Sequence, residues 1–374
     1  MKIYCLLLLS TSFFCLASCS LKDKNKASTM EKEPVVHVDS LKLLFVGDVM
    51  CHSAQLDGAL LDGKDVEYDF QPTFQHVRDY ISSADLALAN LELTFGGKPY
   101  RGYPSFSSPP QLADALEDCG FDVLFLANNH ILDRGRKGLE GTIKLLDEKG
   151  FYHTGAFADG ETRKKNYPLV VDVKGFRVAF LNYTYDTNGL VQSKPNIVNY
   201  LDTLQIKKDF KRTKEIGPDY IIAYLHWGEE YQTAESSRQR LLAKFFAENG
   251  ADCIIGSHPH VVQPFGEIET SEGKTVPVMY SLGNFISNQR EKYRDGGISL
   301  ELLLTKEKGV ITLSSVHYEP LWVKRVEEGD RFLYRIIPVN DYKSNKAKYE
   351  LSKKQQSRIK QFESEIHALL TFSN

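Results

Sequence analysis

The 374-residue chain lacks the charge pattern of a nucleic-acid binder: 46 lysines and arginines face 49 acids, the net charge is −3, and no long basic run occurs. It also lacks a disulfide framework: apart from Cys5, Cys15 and Cys19 near the N-terminus, Cys51, Cys119 and Cys253 remain, an odd count at wide spacing. Its one prominent apolar run, Ile3 to Leu9 continuing through Phe13, Phe14 and Leu16, is too short for a comfortable membrane span. There is no internal repeat, and no low-complexity block outside a polar stretch near the N-terminus. What remains is 42% hydrophobic and 25% charged, close to the globular average. That composition supports a large core, either one big α/β domain or a domain with an appendage.

The N-terminus stands apart. Lys2 precedes the apolar run, and the run ends in Leu16-Ala17-Ser18-Cys19, which resembles the bacterial lipobox. The resemblance implies cleavage after residue 18 and acylation of Cys19, giving a membrane partner through a lipid anchor; several acyl chains on one cysteine hold firmly where a single chain does not. An ordinary secretory signal with an incidental cysteine is the alternative. Residues 20–38 are rich in Lys, Asp, Glu, Ser and Asn, and read as a flexible tether, so 19–40 is taken as lipidated Cys plus tether. The mixed signs of Ser20-Leu21-Lys22-Asp23 leave the leaflet open. Cys119 and Cys253 read as buried small hydrophobes. Cys51 is either the same or a neighbour of a metal, without the paired spacing of a structural zinc site.

Along the rest of the chain, short apolar runs alternate with helical spacing. Strands are expected over Leu41–Val46, Asp85–Ala89, Phe121–Ala127, Tyr220–Leu225, Cys253–Ile255 and Val276–Tyr280, with a hairpin at Lys174-Gly175. Helices are expected over Phe74–Ile81, Gln111–Cys119, Gly138–Lys149, Tyr200–Glu215 and Ser236–Asn249, three of them closed by a glycine. From Gly297 the pattern becomes strands without helices (Ile298–Leu304, Gly309–His317, Phe332–Pro338), then a charged helix from Ser352 to Leu370. Alternation implies βαβ units early and antiparallel pairing late, hence a layered α/β sandwich with mixed sheets. The domain is expected over residues 41–340, with a helical extension over 341–374.

Six polar motifs sit where apolar strands should end: Gly47-Asp48-Val49-Met50, Asn90-Leu91-Glu92, Asn128-Asn129-His130-Ile131-Leu132-Asp133, His226-Trp227-Gly228-Glu229-Glu230-Tyr231, Gly256-Ser257-His258-Pro259-His260 and Ser281-Leu282-Gly283-Asn284-Phe285. Loops after strands are where α/β folds place their chemistry. Taken singly, each has a plain reading: Asp48 as a turn former, Asn128-Asn129 as a loop dipeptide, Asp133 as a helix cap, His226 as a hydrogen-bonded core residue. Taken together they gather Asp, Glu, Asn and His, a ligand set that suits a divalent metal. Glu92 ends a buried strand, where an unpaired acid is costly and a cation would remove the cost. The stiff His258-Pro259-His260 segment aims two imidazoles at one place. Asp133 either orients His130 or caps the next helix. Tyr100, Tyr103 and Phe106 either pack or line a cleft, packing being favoured, and Arg101 beside them offers a planar fork to phosphate or carboxylate.

The six motifs, in this order, resemble those of the poly-γ-glutamate capsule biosynthesis protein CapA family, which is in turn similar to the calcineurin-like metallophosphoesterases. The resemblance implies a four-layer αββα sandwich and a centre of two divalent ions, Mn, Fe or Zn. It assigns Asp48, Glu92, Asn129, His226, His258 and His260 as metal ligands and His130 with Asp133 as the acid–base pair. Glu230 and Asn284 are expected to support the ligands. The sequence departs from the phosphoesterase pattern in having Met50 where a histidine usually follows the first Asp, Glu92 where Asp is usual, and Ser257 where Gly is usual; His52 either reaches inward or does not. Two functions stay open. One is a lipid-anchored hydrolase of a phosphoester, or less readily an amide, in an envelope polymer or its phosphorylated precursor. The other is a non-catalytic component that uses a metal-stabilised pocket to bind or anchor an anionic polymer during export, beside synthesis and export proteins. Either reading places the chain in the bacterial cell envelope. A third reading, motifs that only stabilise a scaffold, fits poorly with so many costly polar groups.

Overall fold

The computed structural model describes residues 39–63 and 67–370. The signal segment, Cys19 and the tether up to residue 38 lie outside the described residues. Asp39 and Ser40 already belong to the first strand and pair with Lys306 and Thr305.

Among the described residues, sixteen strands carry the fold. In order they are β1 (Asp39–Val49), β2 (Leu86–Leu91), β3 (Val123–Phe125), β4 (Tyr152–Thr154), β5 (Ala156–Phe157), β6 (Leu169–Val173), β7 (Phe176–Thr184) and β8 (Ile197–Val198). These are followed by β9 (Tyr220–His226), β10 (Cys253–Ser257), β11 (Phe265–Glu269), β12 (Thr275–Met279), β13 (Asn284–Ile286), β14 (Gly296–Glu307), β15 (Val310–Glu328) and β16 (Arg331–Pro338). One mixed sheet runs β16-β15-β14-β1-β2-β3-β4, with β13 also paired to β1; the second runs β11-β12-β10-β9-β7-β6, and β5 with β8 forms a small ribbon. The pairs β1–β2, β2–β3 and β3–β4 are parallel, as are β7–β9, β9–β10 and β10–β12.

Strand alternation sorts the apolar residues into three cores, which define four layers. Leu41, Leu43 and Phe45 of β1 and Leu88 of β2 meet Val178, Phe180, Ile222 and Tyr224 of the second sheet in the space between the sheets. There the Phe125 and Tyr224 rings stack at 4.1 Å. The opposite faces, Leu44, Val46, Ala87 and Ala89, pack on helical Phe74, Leu116, Leu139 and Leu146. On the other flank, Ala179, Leu181, Ile221 and Ala223 pack on Ile206, Phe210 and Phe246. The architecture is therefore the expected layered αββα sandwich. The C-terminal helix Lys353–Leu369 contributes Ile359, Phe362 and Ile366 to the inter-sheet core. Among the described residues no helix is long and apolar enough to cross a membrane.

Some expected elements differ. Phe74 to Ile81 forms two single-turn helices, Gln71–Phe74 and Arg78–Ile81, yet Phe74, Val77 and Ile81 are all buried. The helical spacing there marks packing rather than a continuous helix. The long strand β15 runs on to Glu328 through Pro320. Pro320 pairs with Ile298 of β14 just before pairing with β16 begins at Leu321, so its missing N–H leaves no ladder bond unmade.

One backbone irregularity sets up the functional end of the molecule. Along β1 and β2 the register runs Val46↔Ala89 and then Asp48↔Asn90, so Gly47 is an extra residue, a bulge. Paired residues share a face. The bulge therefore turns Asp48 out of the alternation that would send it, like Val46, into the helix-side core, and sets it with Asn90 on the inter-sheet side. At Gly47 the strand passes so close to β13 that a Cβ would lie 1.8 Å from the Gly283 carbonyl oxygen. Gly256 is pinned similarly, with the Tyr280 oxygen 2.0 Å from its would-be Cβ. Replacing Gly47 by Ala is expected to cost about 3 kcal/mol of stability and to displace Asp48. Chemical denaturation of Gly47→Ala checks this, and a wild-type midpoint would show that the bulge tolerates a side chain.

Candidate metal centre

The sequence-predicted ligands come from strand ends in both sheets. Asp48 lies on β1, Glu92 directly after β2, Asn129 and His130 after β3, His226 at the end of β9, and His258 and His260 after β10. All are between 0% and 3% exposed. Three overlapping groups each offer one ligand atom per residue within 4.8 Å of one another: Asp48, Glu92 and His260; Glu92, His226 and His258; and Glu230, His258 and His260. Glu92 belongs to two of these groups. Its Oε1 lies 3.7 Å from His226 Nε2 and 3.8 Å from His260 Nε2.

The donor set fits a divalent cation. Glu92 Oε1 and His258 Nδ1 are sealed from solvent and have no hydrogen-bond partner among the described residues. Orphaned buried acceptors of this kind are rare and mark a missing partner. Asn129 Oδ1 stands 2.8 Å from His226 Nε2, so an amide oxygen and an imidazole nitrogen already point at one another beside Glu92. Burial pushes the Glu92 carboxyl well above its usual range, and the nearby Asp48 and Glu230 carboxylates push it further. Burial also drives His226 and His258 well below their usual value, helped by the neighbouring imidazoles, which keeps their lone pairs free for metal.

The surrounding shell is dense. Asn90 Nδ2 donates to Asp48 Oδ1 at 2.8 Å and lies 3.3 Å from His226 Nδ1, while its own Oδ1 accepts from Asn128 Nδ2 at 3.3 Å. Ser257 Oγ stands 3.1 Å from His226 Nδ1, which gives the serine in the Gly-Ser-His motif a supporting role. Asn284 Oδ1 and Asp48 Oδ2 each lie 3.1 Å from His260 Nδ1. The two histidines of the His-Pro-His segment sit at positive φ, 100° for His258 and 59° for His260. Each left-handed residue costs of order 1–3 kcal/mol, as is common where a site fixes its side chains.

His130 is held in a fixed orientation. Its Nδ1 lies 2.8 Å from Asp133 Oδ2, which also accepts the Phe106 N–H at 2.7 Å. An oxygen accepting from a backbone amide is an acceptor for the ring too, so Nδ1 carries the hydrogen and Nε2 is left for chemistry. The helix Gly135–Lys149 starts without a side-chain cap, so Asp133 serves His130 rather than the helix. Phe106 packs edge-on against His130 at 4.7 Å and is buried, whereas Tyr103 is 69% exposed at 6.4 Å from the same ring.

The remaining expected residues fall as follows. Glu230, read as a supporting residue, is exposed at the rim and within ligand reach of His258 and His260. Arg101 is exposed, and no hydrogen bond or ion pair joins its guanidinium to the buried set among the described residues; its backbone pairs with Ser107. Met50 packs in the helix-side core. His52 stays outside the ligand groups: its Nδ1 faces Gln55 Oε1 at 3.1 Å, and burial lowers its pKa to about 4. The Cys51 thiol is pushed up to about 12 by burial and joins no ligand group. Asn90 and Asn128 were not singled out as site residues by sequence reasoning; the signal was an amide inside the otherwise apolar run Leu86-Ala87-Leu88-Ala89-Asn90-Leu91.

A metal can bind only the ionised form of Glu92, whose carboxyl holds its proton above the ordinary range. Affinity is therefore expected to fall as pH drops through that raised value, with proton release on binding. Calorimetric titration of the chelator-treated protein with Mn or Zn, in buffers of different ionisation heat, checks this. A buffer-independent heat would count against Glu92 as a ligand.

Residues 42–289 match the family described as Bacterial capsule synthesis protein PGA_cap. The chain is 32% identical over 277 residues to the capsule biosynthesis protein CapA of Bacillus anthracis, a match covering 68% of this chain and 62% of that protein. It is 28% identical over 268 residues to the PGA biosynthesis protein CapA of Bacillus subtilis, covering 67% and 64%. The chain thus spans less than two thirds of the length of these relatives. Among solved structures it is similar to the calcineurin-like phosphoesterase YfkN of Bacillus subtilis, at 17% identity and a TM-score of 0.44, covering 76% of this chain and 91% of that one. By the extent of the sequence match, the chain belongs to the bacterial capsule synthesis protein family PGA_cap.

Proposed function

We propose that this chain is a divalent-metal-dependent hydrolase of the phosphoester type, working on an envelope polymer or its phosphorylated precursor in the bacterial cell envelope. The observation that carries the reading is the sealed, unpartnered Glu92 Oε1, with His226, His258, His260 and Asp48 around it. Asp48, Glu92 and His260 would hold one ion and Glu92, His226, His258 and Asn129 a second. Bound Mn, Fe or Zn would supply Lewis acidity and neutralise phosphoryl charge. The chain's own residues do the rest. Asp133 fixes the His130 ring through Nδ1, so Nε2 can hold a proton and pass it to a leaving oxygen. Phe106 shields that ring from water on one side.

A second reading, a metal-stabilised pocket that binds an anionic polymer without cleaving it, is favoured by Met50. A thioether lies in the core where the resembling phosphoesterases usually have a further histidine, which leaves the Asp48 group with three ligands. The carboxylate-rich partner, companion synthesis and export proteins, and membrane attachment through Cys19 belong to this proposal as well.

Elemental analysis of the full chain, purified without chelator beside a His258→Ala/His260→Ala double variant, separates the readings. Near two equivalents of Mn, Fe or Zn, lost in the variant and accompanied by cleavage of an aryl phosphodiester, is the expected result. One equivalent without cleavage would favour binding, and no metal after reloading would sink the hydrolase. For the anchor, mass spectrometry of the N-terminal peptide is expected to show acylated Cys19, and Cys19→Ala to release the protein from membranes. An unmodified cysteine would remove the anchor.

A further inference from the structure

We infer that Arg294 is the oxyanion-recognition residue of this centre, taking the non-reacting anionic oxygens of a phosphoryl or carboxylate group seated beside His260 and Glu230. The inference rests on the metal-centre reading above.

Arg294 lies between β13 and β14, in a loop that folds over the rim of the site. Its guanidinium carbon stands 3.5 Å from the centre of the Tyr231 ring, and that ring lies 6.0 Å from the His260 ring. Both ends of the stack are fixed. The Tyr231 N–H donates to the Pro259 carbonyl at 2.8 Å, inside the His-Pro-His segment. The Arg294 carbonyl accepts from Asn284 Nδ2 at 3.0 Å, and the same Asn284 holds His260 through its Oδ1. Arg294 is thus tied to His260 twice, through an aromatic face and through an amide.

The arginine is not consumed by structural contacts. Its Nε is buried without a hydrogen-bond partner among the described residues. Among the described residues it pairs with Glu291, at 3.4 Å and to a carboxylate that is 67% exposed, a weak and easily exchanged contact. A guanidinium lying on a ring keeps its in-plane N–H donors free, and that planar fork matches the paired oxygens of phosphate or carboxylate. A guanidinium with an orphaned buried donor, stacked on the ring that faces His260, is placed to meet an anion held at a centre whose own Glu92 Oε1 and His258 Nδ1 lack partners among the described residues. Arg101, which sequence reasoning favoured for this task, is exposed and outside the stack. Arg238 lines a cavity of about 480 Å³ that shares Glu230, Tyr231 and His258 with the site, and is the competing arginine.

The test is calorimetric titration of the metal-loaded full chain with inorganic phosphate and, separately, with glutarate. In Arg294→Ala the dissociation constant is expected to rise about tenfold or more, with metal equivalents and melting temperature unchanged. Arg294→Lys should recover only part, since it restores charge without the fork. Should Arg294→Ala fold poorly, Arg294→Gln carries the same expectation. Preference for phosphate would name a phosphoryl ligand, and preference for glutarate a carboxylate one. Equal binding by wild type and Arg294→Ala at full metal content, loss of binding in Arg238→Ala instead, or no binding of either anion would overturn the inference while leaving the metal centre standing. A wild-type chain that holds no metal would overturn the metal centre itself, and this inference with it.

Discussion

Burying Glu92 next to Asp48 places two acids in an enclosure that only positive charge makes tolerable. An unpaired buried charge costs several kcal/mol, against a total stability of order 5–15 kcal/mol for a domain. Burial, with the Asp48 and Glu230 carboxylates beside it, raises the Glu92 carboxyl well above its usual range. His226 and His258 do not offset it, because burial drives both toward the neutral form. Two rings driven toward neutrality, with a third standing 3.1 Å from both Asp48 Oδ2 and Asn284 Oδ1, make a good ligand set around the two acids. Metal affinity and stability of this end of the fold are therefore coupled.

The backbone is bent to serve that enclosure. The Gly47 bulge rotates Asp48 from the helix-side face to the inter-sheet one, and Gly47 and Gly256 each lie against the segment that runs from β12 of one sheet to β13 of the other. The left-handed His258 and His260 turn both imidazoles inward at a local cost. What offsets these costs lies elsewhere: the inter-sheet stack of Phe125 on Tyr224, and the helix layers on both outer faces. The division of labour follows the strands, apolar along their length and polar at one end.

Much of this was readable from the sequence because strand ends announce themselves. Asp48, Glu92, Asn129, His226 and the His258/His260 pair each interrupt an apolar run, and alternation of strands and helices pointed to the layered sandwich. The unread parts have physical reasons. Asn90 sits inside a run whose neighbours are all apolar, so its role depends on facing Asp48 across a bulge that no local pattern reveals. The segment Phe74 to Ile81 has helical spacing because three side chains share one core, not because its hydrogen bonds are continuous. The continuation of β15 past His317 was hidden by Glu319 and Pro320, which look like breakers unless the neighbouring strand's starting point is known. Arg294 could not be distinguished from any loop arginine, since its meaning comes from Tyr231, some sixty residues earlier in the chain.

The choice between cleaving and merely holding an anion turns on His130. A binding pocket needs charge and shape, both available from the ligands and the rim. It has no use for an imidazole whose Nδ1 is committed to a buried carboxylate, whose tautomer is fixed by the Phe106 amide, and whose free nitrogen is left beside the centre. Burying Asp133 for that purpose carries a desolvation cost that a passive site would shed by using an apolar residue in its place. Met50 weakens one group of ligands, but it leaves the group of Glu92, His226 and His258, with Asn129 beside it, intact and adjacent to the oriented histidine. The expense lies in the proton-handling pair rather than in the pocket, and that favours hydrolysis over storage.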